Sequence, residues 1–343
     1  MTICLYPKNL RDLEVSELKH AIMIADRKVL LNTPKLKRWA ARFAGVYDVR
    51  AGEDLKDLGA FPRHVANIER LTHSIPSADL SIYAVGGGSV GDFSGFFAST
   101  YRRGVKLVNV PTTWLAAIDS SHGGKTALNT RGIKNQIGTF YPATRVMMVQ
   151  EILYQQPTPL IQEALSELAK IAIISGGDWV SDLVRLAPTT HTPELLWRML
   201  PSAVEAKMHV VRADPYELKG RRQILNLGHT VGHVIESALG WSHGRAVAAG
   251  LFFATEYSRH SGRMTGPAYR RIMSLLTNTT SLKRPNPEKI SESVFLKLLG
   301  ADKKRSSKTH VNFVFPKRIG QVSREPVDFR ELLIEARRQG WLR

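Results

Sequence analysis

The densest chemistry in the sequence lies in residues 225–236, "LNLGHTVGHVIE", where His229 and His233 stand four apart and Glu236 three further on. At 3.6 residues per turn these side chains share one face of any helix they occupy. Two imidazoles and a carboxylate on one face suit a divalent metal, acid–base work or a solvated stripe, and spacing leaves all three open. His243 follows in "WSHGRAVAAG", while Glu167 and Lys170 sit at i, i+3 on the apolar "ALSELAKIA". That pair reads either as a surface ion pair or as part of a site. Glu167, His229 and His243 together offer a three-ligand set that leaves metal positions for water or substrate. Lys207 sits similarly on a later helical pattern.

Two further stretches carry anion chemistry. "AVGGGSVGDF" puts Gly86, Gly88 and Gly91 in G-x-G-x-x-G spacing after a strand pattern and before a helix pattern. Such a turn brings backbone N–H groups to a pyrophosphate, and it serves equally as a plain tight turn. The acidic residue that usually holds the ribose is missing: the next strand pattern ends in Pro111-Thr112-Thr113, and the next acid is Asp119. A dinucleotide here binds in a variant of the common arrangement. Asp119, Lys125, Asn129, Lys134 and Asn135 then fall within 17 turn-rich residues. Two lysines beside a Gly-Gly turn make an anion site, and Asp119 is able to orient a hydroxyl; a solvated loop is the bland alternative.

These residues need a scaffold. Runs at 21–26, 46–51, 80–88, 105–113 and 145–150 read as strands, with helical patterns at 61–75 and 91–104 between them. Strand and helix in alternation predict a parallel sheet with crossover helices. After about residue 157 the patterns are helical, and only "HVNFVFP" (310–316) reads as a late strand. The expected fold class is α/β: a Rossmann-like parallel-sheet domain, 1–156, followed by a mainly α-helical metal- and substrate-binding domain, 157–343, divided at "QQPTP" (155–159).

Bulk properties agree with a two-domain globular protein. The 343 residues exceed one compact core, and 43% hydrophobic content excludes a disordered chain. No stretch approaches the roughly 20 apolar residues of a membrane span. The first residues carry charges and no apolar run, unlike a secretory signal, and the single Cys4 excludes an internal disulfide, so a cytoplasmic location is expected. A net charge of +18 would suit a nucleic-acid binder. Yet the 15 Lys and Arg against 7 Asp and Glu in residues 283–343 are spread over regular patterns, without an RGG repeat. The charge fits a phosphorylated substrate better than nucleic acid.

Taken in order, the motifs resemble the sugar phosphate cyclase family, most closely its 3-dehydroquinate synthases: "GEDLK", "GGGSVGD", "YRRG", "PTTWLAAIDSS", "GGK", "KNQIG", "SELAK", "LNLGHTVGH", "HG" and "DKK". The resemblance runs from about Asp26 to about Gln321. It implies a zinc ion, with cobalt as an alternative, on Glu167, His229 and His243. It implies NAD on Glu53, Lys56, Gly86, Gly87, Gly88, Ser89, Val90, Gly91, Asp92, Thr112 and Thr113, with Lys125 and Lys134 close to both NAD and substrate. Lys125, Asn135, Asn226, His233 and Lys304 match positions that hold the substrate phosphate, and Lys207 and Arg222 those that bind its carboxylate. Asp119 and Lys170 match residues around the reacting hydroxyls. Arg103 matches an arginine that reaches the neighbouring subunit's phosphate, which implies a homodimer.

Four residues depart from the family pattern. Arg245 stands where a glutamate follows the His-Gly pair, His122 where Val or Ile is usual, Trp114 for Leu and Gln155 for Thr. With Arg245 in place of a carboxylate, Glu236 is the acid expected to orient a metal-binding histidine. Cyclases of sedoheptulose 7-phosphate, which has no carboxylate to bind, tend to lose the second histidine of GHTxxGH; this chain keeps His233, Lys207 and Arg222, which favours a carboxylate substrate. An aminodehydroquinate synthase shares the motifs. A metal-dependent glycerol or alcohol dehydrogenase shares the GGGS turn but has no need of the Gly-Gly-Lys and Lys-Asn loops.

Overall fold

Uninterrupted apolar runs such as "AIMIA" become strands covered on both faces, as a parallel sheet under crossover helices requires. The computed structural model describes the chain apart from residues 1, 14–15, 188–191, 280–281, 283–288, 302–306, 308 and 343. It divides into two units, Met1–Leu160 and Ile161–Arg343.

The first unit runs β1 (Ile3–Leu5), β2 (Ala21–Asp26), α1 (Arg27–Asn32), α2 (Pro34–Ala40), β3 (Gly45–Val49), α3 (Phe61–Thr72), β4 (Ser81–Gly86), α4 (Gly88–Thr100), β5 (Lys106–Pro111), β6 (Leu128–Thr130), β7 (Ile133–Ile137), β8 (Arg145–Met147) and α5 (Gln150–Leu153). Six strands form one sheet in the order β1-β8-β5-β4-β2-β3, every neighbour parallel. The chain steps from β2 outward to β3, then returns across β2 to β4. The carboxyl ends of β2 and β4 therefore flank the reversal of strand order, where open α/β sheets bind ligands. Helix α2 is fastened over the sheet by Trp39, whose ring meets Phe43 at 4.8 Å, and Phe43 in turn meets Tyr83 of β4 at 5.0 Å. The turn-rich stretch after β5 is more ordered than its composition predicts. Ala116–Ser120 form one π-helical turn with Ala116, Ala117 and Ile118 buried, and β6 and β7 then pair as an antiparallel hairpin.

The second unit carries α6 (Thr158–Ser175), α7 (Asp178–Leu186), α8 (Thr192–Ala213), α9 (His229–Leu239), α10 (His243–His260), α11 (Gly266–Ser274), α12 (Glu292–Ala301), β9 (His310–Arg318), β10 (Gln321–Asp328) and α13 (Phe329–Arg338). The expectation of a single late strand is corrected: β9 pairs antiparallel with β10. In "QVSREPVD" only Val327 is buried, so β10 lacks the apolar alternation that marks a strand.

Glycines set the helix spacing in this unit. A Cβ on Gly250 of α10 would stand 1.8 Å from the Gly228 carbonyl oxygen, and one on Gly232 of α9 would stand 3.0 Å from that of Ala246. A Cβ on Gly244 would meet the Glu163 backbone of α6 at 2.5 Å. Helices α6, α9 and α10 thus approach each other as closely as backbone allows, which only residues without a side chain permit. Among the described residues no helix is long and apolar enough to cross a membrane.

Candidate active site

The three close-packed helices of the second unit each deliver one donor to a common point. Glu167 comes from the middle of α6, His229 from the first turn of α9 and His243 from the first turn of α10. Their donor atoms lie within 4.8 Å of one another. Glu167 is fully buried, and its Oε1 faces His229 Nε2 at 3.5 Å and His243 Nε2 at 3.8 Å, with no hydrogen-bond donor on it among the described residues. Its Oε2 pairs with Lys170 Nζ, itself 2% exposed, so the i, i+3 pair is a buried ion pair and not a surface one. A buried carboxylate oxygen without a donor is strongly unfavourable unless a cation meets it. The donor set, two imidazoles and a carboxylate, is that of an open zinc-type site.

The outer partners of the imidazoles agree. His229 Nδ1 lies 3.2 Å from the Leu227 carbonyl oxygen, which accepts only from N–H and so leaves Nε2 its lone pair. His243 Nδ1 lies 3.2 Å from Glu236 Oε2. Such partners fix the ring and its tautomer for a metal. Burial disfavours a charge on His243, but Glu167 and Glu236 outweigh it and raise its pKa to about 10. A proton and a metal cation compete for the same lone pair. The ring of His233 stands 5.4 Å from that of His229, one turn along α9 and exposed. Arg245 lays its guanidinium 3.5 Å from the centre of the Trp241 ring, a cation–π contact.

Two cations expected at a carboxylate, Lys207 of α8 and Arg222, are each 4% exposed. Arg222 donates through Nη1 to the Pro215 carbonyl oxygen at 2.9 Å, and its backbone N–H donates to Asp214 at 3.3 Å. Asp214 also accepts from Lys219 N–H at 3.0 Å. Burial raises a carboxyl's pKa, but these backbone donors dominate and hold Asp214 below its ordinary value. The turn that carries Arg222 is therefore built on one carboxylate. Asn226 ends the 3-10 turn Arg221–Asn226, and Leu227 and Gly228 separate it from α9. Lys304 lies outside the described residues.

In the first unit, Gly86 ends β4 beside Pro111 of β5, and Thr112 N–H donates to the Gly86 carbonyl at 3.0 Å. The glycine turn and Thr112-Thr113 thus meet at the carboxyl edge of the sheet. A Cβ on Gly86 would clash with Val90 at 2.5 Å, one on Gly87 would touch Thr113 at 3.3 Å, and one on Gly88 would touch Ser120 at 3.3 Å. Glycine here keeps α4 tight against the strand and the backbone open to a ligand. Ser89 Oγ accepts from Gly52 N–H at 3.0 Å. Lys56 is 3% exposed and its Nζ lies 2.7 Å from Asp92, bonds Asn135 Oδ1 and stands 3.9 Å from Glu53. Burial raises the Asp92 pKa against the pull of Lys56.

Asn129, given no role from sequence, ties this network together. Its amide donates to Glu53 at 2.8 Å and its oxygen accepts from Asn135 N–H at 2.8 Å. Asn135, expected at the substrate phosphate, thus shares a network with Glu53, Lys56 and Asp92, and its backbone takes φ +55°. Asp119 sits in the π-helical turn, while Lys125 and Lys134 are exposed. Arg103 is exposed with φ +67°, whereas its neighbour Arg102 is tied to the Ile75 and Thr72 carbonyls. The departures have local explanations. His122 is buried and bonds the Ala117 carbonyl at 2.8 Å, Trp114 is fully buried against Tyr154, and Gln155 bonds Thr33 at 3.3 Å.

Comparison with known proteins gives a consistent result. The family model described as 3-dehydroquinate synthase N-terminal matches residues 46–163, and 3-dehydroquinate synthase C-terminal matches 164–305. The 3-dehydroquinate synthase of Idiomarina loihiensis is 37% identical over 84% of this chain and 80% of its own. That of Symbiobacterium thermophilum is 34% identical over 89% and 86%. Among solved structures, a 2-deoxy-scyllo-inosose synthase complexed with carbaglucose-6-phosphate, NAD+ and Co2+ superposes with TM-score 0.84 at 26% identity, over 98% of this chain and 96% of that one. A 2-epi-5-epi-valiolone synthase from Streptomyces hygroscopicus with NAD+ and Zn2+ bound shares the fold, with TM-score 0.83 at 22% identity over 98% and 97%.

Proposed function

The chain belongs to the 3-dehydroquinate synthase family, and on that premise we propose that it converts 3-deoxy-D-arabino-heptulosonate 7-phosphate to 3-dehydroquinate and phosphate, with NAD and a zinc or cobalt ion as cofactors. The observation that carries the reading is the buried Glu167 Oε1, which among the described residues has no hydrogen-bond donor and faces two imidazole nitrogens. The residues fit the metal: Glu167, His229 and His243 would hold it, with Glu236 behind His243. The glycine turn and the Glu53–Lys56–Asp92 network would hold NAD. When bound, NAD supplies transient oxidation and return of a hydride at carbon 5, and the metal supplies a Lewis acid for the oxygen there.

The chain's own side chains do the rest. Lys207 and Arg222, both buried, supply charge-assisted hydrogen bonds to the substrate carboxylate and fix its orientation. Lys125, Asn135, Asn226, His233 and Lys304 receive the phosphate, and Lys134 stands between NAD and substrate. Lys170 holds its proton at Nζ beside Glu167, next to the reacting hydroxyls, and Asp119 orients one of them. Exposed Arg103 reaches a neighbouring subunit's phosphate in a homodimer. The first unit would hold NAD and the second the metal, in a cytoplasmic enzyme whose basic charge attracts an anionic substrate and not nucleic acid.

The test is purified protein with the heptulosonate phosphate and NAD, assayed for phosphate with and without a chelator. Metal-dependent phosphate release is expected. No phosphate under any metal condition overturns the reading, and net accumulation of NADH would mark a dehydrogenase instead.

A further inference from the structure

Apart from both sites, the first unit holds a cavity of about 420 Å³ between α2, the start of α5 and the turn after β1. The volume falls in the range of small-molecule pockets. Leu10 and Trp39 lie along it, each 3% exposed, and four cations line it: Arg11, Lys35, Arg38 and Arg42. Lys35, Arg38 and Arg42 recur at i, i+3 and i+7, so α2 and the turn after it present them on one side.

One carboxylate, Glu151, also lines the cavity, and it is already engaged. Its Oε1 accepts from Leu10 N–H at 2.5 Å and its Oε2 pairs with Lys35 at 2.6 Å. Arg11 lies 3.8 Å from Asp12. Among the described residues no carboxylate lies within ion-pair distance of Arg38 or Arg42. Like charges gathered without counter-ions repel, and guanidinium forks match carboxylate or phosphate oxygens. Trp39 adds a buried indole Nε1 with no acceptor among the described residues. None of these residues is among those assigned above to nucleotide or metal.

The geometry points to a second anion site, for a small organic phosphate or carboxylate with an apolar body. The anionic group meets Arg38 and Arg42, and the apolar part covers Leu10 and Trp39. The lining shares no residue with the active site proposed above, so the inference stands or falls apart from the catalytic reading.

Calorimetric titration of the full chain with phenyl phosphate and with phthalate tests it, in the wild type and in the Arg38→Ala/Arg42→Ala double variant. Both arginines are exposed, so the variant folds; circular dichroism checks this. The expected result is one binding event weakened roughly tenfold or more in the variant, with kcat/KM unchanged, because two charge-assisted contacts are lost. Tighter phenyl phosphate identifies a phosphate ester as ligand and tighter phthalate a carboxylate. Superimposable titrations of the two proteins overturn the proposal.

Discussion

Glu236 Oε2 of α9 stands 3.2 Å from Nδ1 of His243 in α10, a carboxylate–imidazole contact between two closely packed helices. The contact turns His243 Nε2 toward Glu167 Oε1, 3.8 Å away. Arg245, two residues further on, takes no part in this contact. Its guanidinium rests on Trp241, and the orienting charge comes from α9.

If Glu236 positions His243, Glu236→Ala should weaken zinc binding about 10–100-fold, the usual effect of losing an outer-shell partner. Glu236→Gln should lose less, because its amide oxygen still accepts from Nδ1–H. Competition against a chromophoric chelator measures both. Equal zinc affinity in wild type and Glu236→Ala would remove Glu236 from the site.

The metal should also stabilise the fold, because it answers the buried Oε1 of Glu167, the carboxylate oxygen that Lys170 does not reach. At free zinc about 1,000 times Kd, mass action contributes about 4 kcal/mol. For a chain of this size that is on the order of 10 °C in Tm. Scanning calorimetry of stripped and zinc-loaded protein reads the gap. Glu167→Gln should nearly abolish it, and an undiminished gap in that variant would place the ion elsewhere.

Gly250→Ala tests the helix spacing. Its Cβ would stand 1.8 Å from the Gly228 carbonyl, so α9 and α10 must separate and carry His229 away from His243. A loss of about 1–3 kcal/mol or more is expected, together with loss of bound metal. Gly300→Ala in α12 meets nothing within 4 Å and should be neutral or stabilising by about 0.5–1 kcal/mol. Urea melts and metal content report both.

What could be read from sequence follows the range over which each signal acts. His229, the glycine turn and Thr112-Thr113 are legible because their chemistry is local: spacing on a helix, a strand-to-helix turn, a strand end. The convergence of Glu167 with His229 and His243 depends on Gly228, Gly244 and Gly250 closing three helices together, which no local pattern states. Asn129 escaped assignment for the same reason, since its partners Glu53 and Asn135 meet it only after the hairpin folds back. Strand β10 stayed hidden because an edge strand with one buried residue has no periodic apolar signal. The burial of Lys170 is not legible locally, because charge pairs at i, i+3 serve a surface and a site alike.

Asp214 gives the pH dependence. It is 2% exposed and accepts from the backbone of Leu218, Lys219, Arg221 and Arg222, donors that outweigh burial and hold its pKa below the ordinary 3.8. A carboxyl whose folded pKa is depressed stabilises the fold above its unfolded pKa and loses that contribution as pH falls through the folded one. The Tm gap between wild type and Asp214→Asn should therefore be full at neutral pH and shrink below about pH 4. Because the same turn carries Arg222, the variant should also raise KM for the carboxylate-bearing substrate more than it lowers kcat. A gap that stays constant down to pH 3 would mean that the amide fails for its shape, and that the charge on Asp214 is not what holds the Arg222 turn.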